Sequence, residues 1–117
     1  MSIIPLVNGS IVPNPLYSQS TELVSALYEE FEPSVVPVFY QIAKCESSIR
    51  QFDDKGQVVE STTNDFGILQ INSVHDAQAK KLGLDYKGSL KDNVKMAKVV
   101  YDHEGLGAWT CSKKIES

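Results

Sequence analysis

Glu46, Asp65 and Trp109 are the residues whose types and settings allow acid–base chemistry. Glu46 follows an apolar stripe of Val38, Ile42 and Cys45, flanked by Phe39, so it sits near the C-terminus of an apolar helix. The negative end of the helix dipole and apolar walls both favour the protonated acid there. A carboxyl group so placed can donate a proton near neutrality. Asp65 lies 65 − 46 = 19 residues further on, in Asn64-Asp65-Phe66-Gly67-Ile68-Leu69-Gln70-Ile71-Asn72-Ser73. Gln70 and Asn72 are two apart, which in extended chain puts them on one face. An acid followed by amides on one face suits a groove that grips a hydroxyl-rich ligand. Trp109, the single tryptophan, can desolvate a carboxyl group or form a platform for a sugar ring.

Two carboxyls on different elements form the walls of a cleft. Glycosidases use such a pair, one to protonate the leaving oxygen and one to stabilise or attack the sugar cation. Each residue also has a bland reading. Glu46 can be a solvated helix end, Asp65 the cap of the Phe66-Gly67 bend, and Trp109 plain core. Cys45 and Cys111 allow either one disulfide closing a long loop or two independent thiols. If they bond, Trp109 is held close to Glu46.

These residues need elements to position them. Residues 1–19, with Pro5, Pro13, Pro15 and Gly9, read as an extended lead-in or strap before a domain spanning 20–117. Ser20 caps a helix starting at Thr21, with Leu23, Leu27 and Phe31 at helical spacing and Glu32-Pro33 as its end. Ser34 caps the helix that carries Glu46, and Pro37 falls in its first turn. Asp53-Asp54-Lys55-Gly56 is a tight turn and Gln57–Glu60 a short strand, which predicts a small hairpin-like sheet across 51–68. Ser73 caps a helix over roughly Val74–Leu82, stopped by Gly83. Ser89, with Asp92 three later, caps a helix carrying Leu90, Val94, Ala97 and Tyr101, stopped by Gly105. The fold class is α+β, mostly helical, with a small β-hairpin.

Composition sets limits. The chain has 117 residues, which favours one domain able to bury its own core. At 42% apolar and 22% charged it is ordinary for a globular protein. A net charge of −4 offers no footprint for nucleic acid. No apolar run approaches the roughly 20 residues of a membrane span, and the start is not a signal peptide. His75 and His103 lack metal-ligand spacing and read as surface histidines, so no metal is expected. No phosphate loop or dinucleotide fingerprint is present, so no cofactor is expected.

Three segments together resemble the lysozyme superfamily. Ala43-Lys44-Cys45-Glu46-Ser47 resembles the helix end bearing the catalytic glutamate; its Glu-Ser pair is like that of soluble lytic transglycosylases and goose-type lysozymes. Residues 64–73 are very similar to the β-hairpin segment of animal c-type lysozymes, in which the Asp is the second carboxylate. Gly105-Leu106-Gly107-Ala108-Trp109 is similar to the c-type segment whose tryptophan packs against the acid. The resemblance covers about residues 35–111 and implies a lysozyme-like fold with the hairpin beside the active-site cleft. It implies Glu46 as general acid/base and Asp65 as nucleophile or cation stabiliser. Gln70, Asn72, the Ala108 backbone, Trp109 and Tyr101 would contact substrate, and the Cys45–Cys111 disulfide is favoured. The bond implied is the β-1,4 linkage between N-acetylmuramic acid and N-acetylglucosamine in peptidoglycan, cut by a monomer at or near a cell wall: extracellular, periplasmic or phage-associated.

The chain departs from both groups. Animal c-type lysozymes carry several disulfides and are usually basic. Many lytic transglycosylases carry a late Ala-Tyr-Asn motif, to which Val100-Tyr101-Asp102 is a poor match. Hydrolysis needs Asp65 and a positioned water; a lytic transglycosylase uses Glu46 alone and closes a 1,6-anhydro ring. The competing class is a non-catalytic glycan-binding or structural domain of a wall or phage assembly.

Overall fold

The computed structural model describes residues 6–7, 10–11 and 15–115, with side chains described from residue 18 onward. The chain is mostly helical with small antiparallel strand pairs. Strands β1 (Leu6–Val7) and β2 (Ser10–Ile11) pair with each other. The rest of residues 1–14 of the expected lead-in lies outside the described residues.

Helix α1 spans Pro15–Glu30, beginning before the predicted start at Thr21. Proline suits a first helical position, since its missing N–H would be unpaired there anyway. Residues 15–19 therefore belong to a helix and not to an extended strap. Gln19 is buried, and its Oε1 accepts the backbone N–H groups of Gln51 and Phe52 at 2.7 and 2.8 Å. This long-range tie, invisible to local pattern, fixes the chain just beyond the helix that carries Glu46.

A 3-10 turn, Pro33–Val35, leads into α2 (Val36–Ser47). The buried face of α2 is Val36, Phe39, Ile42 and Ala43, with Val38 only half-buried and Cys45 turned outward. The helix packs on α1 through Leu23 and Leu27, and Phe31, just past the end of α1, meets Phe39 with tilted rings and centroids 4.3 Å apart. Helix α3 covers Asp76–Leu82 and ends at Gly83 with φ 72°, as its glycine predicts. Helix α4, Leu90–Glu104, starts at Ser89, whose side chain accepts the Asp92 N–H, and stops at Gly105. It buries Leu90, Asn93, Val94, Met96, Ala97 and Val100 in the common core, packing on α1 and β4. A 3-10 turn (Gly105–Ala108) and the short α5 (Ser112–Ile115) finish the described chain.

The regular strands form later in the chain than the turn signals predict, while the predicted region 51–68 carries two isolated antiparallel bridges, Phe52↔Val58 and Glu60↔Phe66. The Asp53–Gly56 turn exists, closed by Asp53 N–H to Gln57 O at 2.8 Å, but it carries only the isolated bridge Phe52↔Val58. The paired strands are β3 (Asp65–Phe66) and β4 (Ile71–Asn72), in register Asp65↔Asn72 and Phe66↔Ile71. Val59 links the two pairings: its N–H donates to Gln51 O beside the Phe52↔Val58 bridge, and its C=O accepts from Gly67 beside the second bridge, Glu60↔Phe66, which ties this segment to β3.

The turn between β3 and β4 is gripped by side chains from the helical part. Ile68 N–H donates to Gln51 Oε1 at 2.8 Å and Leu69 N–H to Asn93 Oδ1 at 2.9 Å. Ile68 O accepts from Ser47 Oγ and Leu69 O from Trp109 Nε1, both at 2.8 Å. Gln51 and Asn93 are fully buried, so each unmade bond there would carry the full desolvation cost. Gly67 sits between them at φ +83°, where an added Cβ would lie 2.3 Å from Asn93 Nδ2. Only glycine fits that turn.

Candidate active site

Glu46 is the penultimate residue of α2, half-buried at the helix's negative end. Burial raises its carboxyl above the ordinary value, and the nearby Asp65 charge adds to the rise; the Cys111 backbone N–H and Lys114 oppose it. The chain then leaves the helix through two left-handed residues, Ser48 (φ 57°) and Ile49 (φ 59°). For a β-branched residue this conformation costs of order 1–3 kcal/mol, and such strain collects at functional sites.

Asp65 is set the other way. Burial pushes its carboxyl up, but hydrogen bonds from Thr63, Asn72 and Ser61 together outweigh that and hold it below the ordinary value. Ser61 Oγ and Asn72 Nδ2 both donate at 2.9 Å, and Thr63 Oγ1 donates to the same oxygen as Ser61. Two carboxyls close enough to feel one another are thus pushed apart, one toward the acid and one toward the anion. That is the arrangement acid–carboxylate catalysis needs.

The Cys45–Cys111 disulfide is present, with a sequence separation of 66. It joins the residue before Glu46 to the segment whose backbone N–H faces that carboxyl. Trp109 is buried, its ring edge-on to Phe39 at 5.2 Å, its indole N–H used on Leu69 O.

A groove of about 190 Å³ runs between the hairpin and α4. One bank is Asp65, Gln70, Ile71, Asn72, Val74 and His75; the other is Val100, Glu104, Ala108 and Trp109. The predicted residues Asp65, Gln70, Asn72, Ala108 and Trp109 therefore meet on one groove. Glu46 is not among the lining residues, though Asp65's charge reaches it. Tyr101 does not reach the groove: it packs on Phe39 at 5.3 Å and lines a separate depression with Glu32, Val35 and Lys98. One helix position separates it from Val100, and that rotation carries it to the aromatic core.

Gln70 and Asn72 reach the groove by a different route from the one predicted. Gln70 is in the turn at φ 49°, not in a strand, and its Nε2 donates to Gly67 O at 2.9 Å. Asn72 spends its amide on structure, donating to Thr63 O and Asp65 and accepting the Val74 N–H. It is the N-cap of the 3-10 turn Ser73–His75, ahead of α3. Its role at the groove is to hold Asp65.

Sequence reasoning misses His75 and Glu104, which face one another with Nε2 and Oε2 3.8 Å apart and both line the groove. Neither has a spacing signal, since 29 residues (104 − 75) separate them. It also misses the buried amides Gln51 and Asn93. Among the described residues no group of acidic, His and Cys side chains could hold a metal, and no helix is long and apolar enough to cross a membrane. No protein-family model, curated protein or solved structure matches the chain.

Proposed function

We propose that this is a lysozyme-like domain that cleaves the β-1,4 bond between N-acetylmuramic acid and N-acetylglucosamine in peptidoglycan. The observation that carries the reading is geometric: the helix end bearing Glu46 is tied by Ser47 to the turn after Asp65 and by Cys45 to the segment of Trp109, and three donors hold Asp65 on the groove. Glu46, whose carboxyl burial raises, gives its proton to the glycosidic oxygen. Asp65 stays ionised and stabilises or attacks the sugar cation that forms. Glu46, now a carboxylate, takes a proton from the incoming water. The three donors on Asp65 favour hydrolysis over 1,6-anhydro ring closure by Glu46 alone, since ring closure has no need of a held anion. The disulfide supports work in an oxidising setting, outside the cytosol or at a cell wall.

The test is clearing of a cell-wall suspension by wild type and by Glu46→Gln. Wild type clears and the variant does not; equal clearing by both overturns the reading. Binding without clearing by wild type supports a non-catalytic glycan-binding domain instead. Mass spectrometry of the fragments then finds reducing ends for a hydrolase or anhydro-muramic ends for a transglycosylase.

A further inference from the structure

We infer that His75 and Glu104 bridge the groove and bias the protein toward glycan ends over internal bonds. This rests on the glycan-cleaving reading of the groove. His75 closes the 3-10 turn after β4, and Glu104 is the last residue of α4. The two banks otherwise differ in origin: one is hairpin and 3-10 turn, the other helix. His75 Nε2 and Glu104 Oε2 meet across them at 3.8 Å. A sugar ring held between two walls needs about 7 Å, twice the usual 3.5–4.0 Å contact distance. An intact strand therefore cannot lie between these side chains while they meet. A strand that ends before them fits without disturbing the pair; one that continues must part them.

The barrier is small. The side chains are 21% and 52% exposed, and an exposed pair with the imidazole protonated contributes at most about 1 kcal/mol, roughly a fivefold factor. The pair thus acts as a bias on where the strand is cut. His75 is the more firmly seated partner, so the parting motion belongs to Glu104.

The experiment uses long peptide-free strands of alternating N-acetylglucosamine and N-acetylmuramic acid, with fragment lengths read at low conversion. Wild type, Glu104→Ala and His75→Ala are compared at equal numbers of bonds cut, with thermal unfolding recorded for each. Wild type is expected to cut a terminal bond up to about fivefold more often than any single internal bond. Either variant shifts the ratio of internal to terminal cuts upward by about fivefold with an unfolding midpoint like wild type. The same fragment distribution in all three overturns the bridge while leaving the glycan-cleaving reading intact. No bond cut by any of them overturns both.

Discussion

The Ser47 hydroxyl lies 2.8 Å from the carbonyl oxygen of Ile68, joining the helix that carries Glu46 to the turn that follows Asp65. The same oxygen is 3.0 Å from Ala43 O and accepts the Arg50 N–H at 3.1 Å. One buried side chain thus finishes α2, starts the next segment and sets the distance between the two carboxyl-bearing elements.

Ser47→Ala should destabilise the protein by about 1–3 kcal/mol, because the buried Ile68 carbonyl loses its donor. Urea unfolding checks this. Since the link also positions Glu46, wall-clearing activity should fall at temperatures where the variant is still folded.

Glu46→Gln removes the proton donor while keeping size and hydrogen-bonding capacity. Bond cleavage should drop by about 10²–10⁴-fold, the range for general acid catalysis. The far-ultraviolet circular dichroism should be unchanged, which separates lost chemistry from lost fold.

The pH profile of kcat/KM should be bell-shaped, with an acidic limb below the ordinary aspartate value of 3.8 and an alkaline limb above the ordinary glutamate value of 4.5. Thr63→Val removes one donor from Asp65, so the acidic limb should move to higher pH and the bell should narrow. Stability follows the same shifts with opposite signs. Glu46 binds its proton more tightly when folded, so its contribution is present below the unfolded value and lost as pH rises. Asp65's contribution is present above its unfolded value and lost as pH falls. Unfolding free energies across this pH range check both slopes.

Gly67→Ala should be among the most damaging single-methyl additions to this chain. The new Cβ would lie 2.3 Å from Asn93 Nδ2 and 2.6 Å from Gln51 Oε1, at φ +83°. Overpacking and the left-handed backbone together predict a loss of about 2–5 kcal/mol. Chemical denaturation reads it directly.

Reducing the Cys45–Cys111 bond should lower stability by about 4 kcal/mol on chain-entropy grounds, since it closes a 66-residue separation. A thiol count on denatured, unreduced protein should find no free cysteine. Paired unfolding curves with and without reductant give the magnitude.

Much of this molecule is local and was therefore legible in the chain. Ser89 capping, the stops at Gly83 and Gly105, and the apolar stripes of α1 and α4 depend on neighbours within a turn or two. So does the position of Glu46 at a helix end. The stretch from Asn64 to Ser73 announced an acid beside a tight glycine turn. Tertiary structure decided what that turn must meet. Gln19, Gln51, Asn93 and Trp109 make their bonds to partners 17 to 40 residues away, and no periodicity encodes a buried amide waiting for a distant N–H. The same applies to the groove's far bank. His75 and Glu104 look like ordinary surface residues in sequence. They face one another only because β4 and the end of α4 are brought together by the core beneath them. Local propensity chose the elements; the pairing of buried polar groups chose their arrangement, because each such group left unpaired would cost more than any local preference supplies.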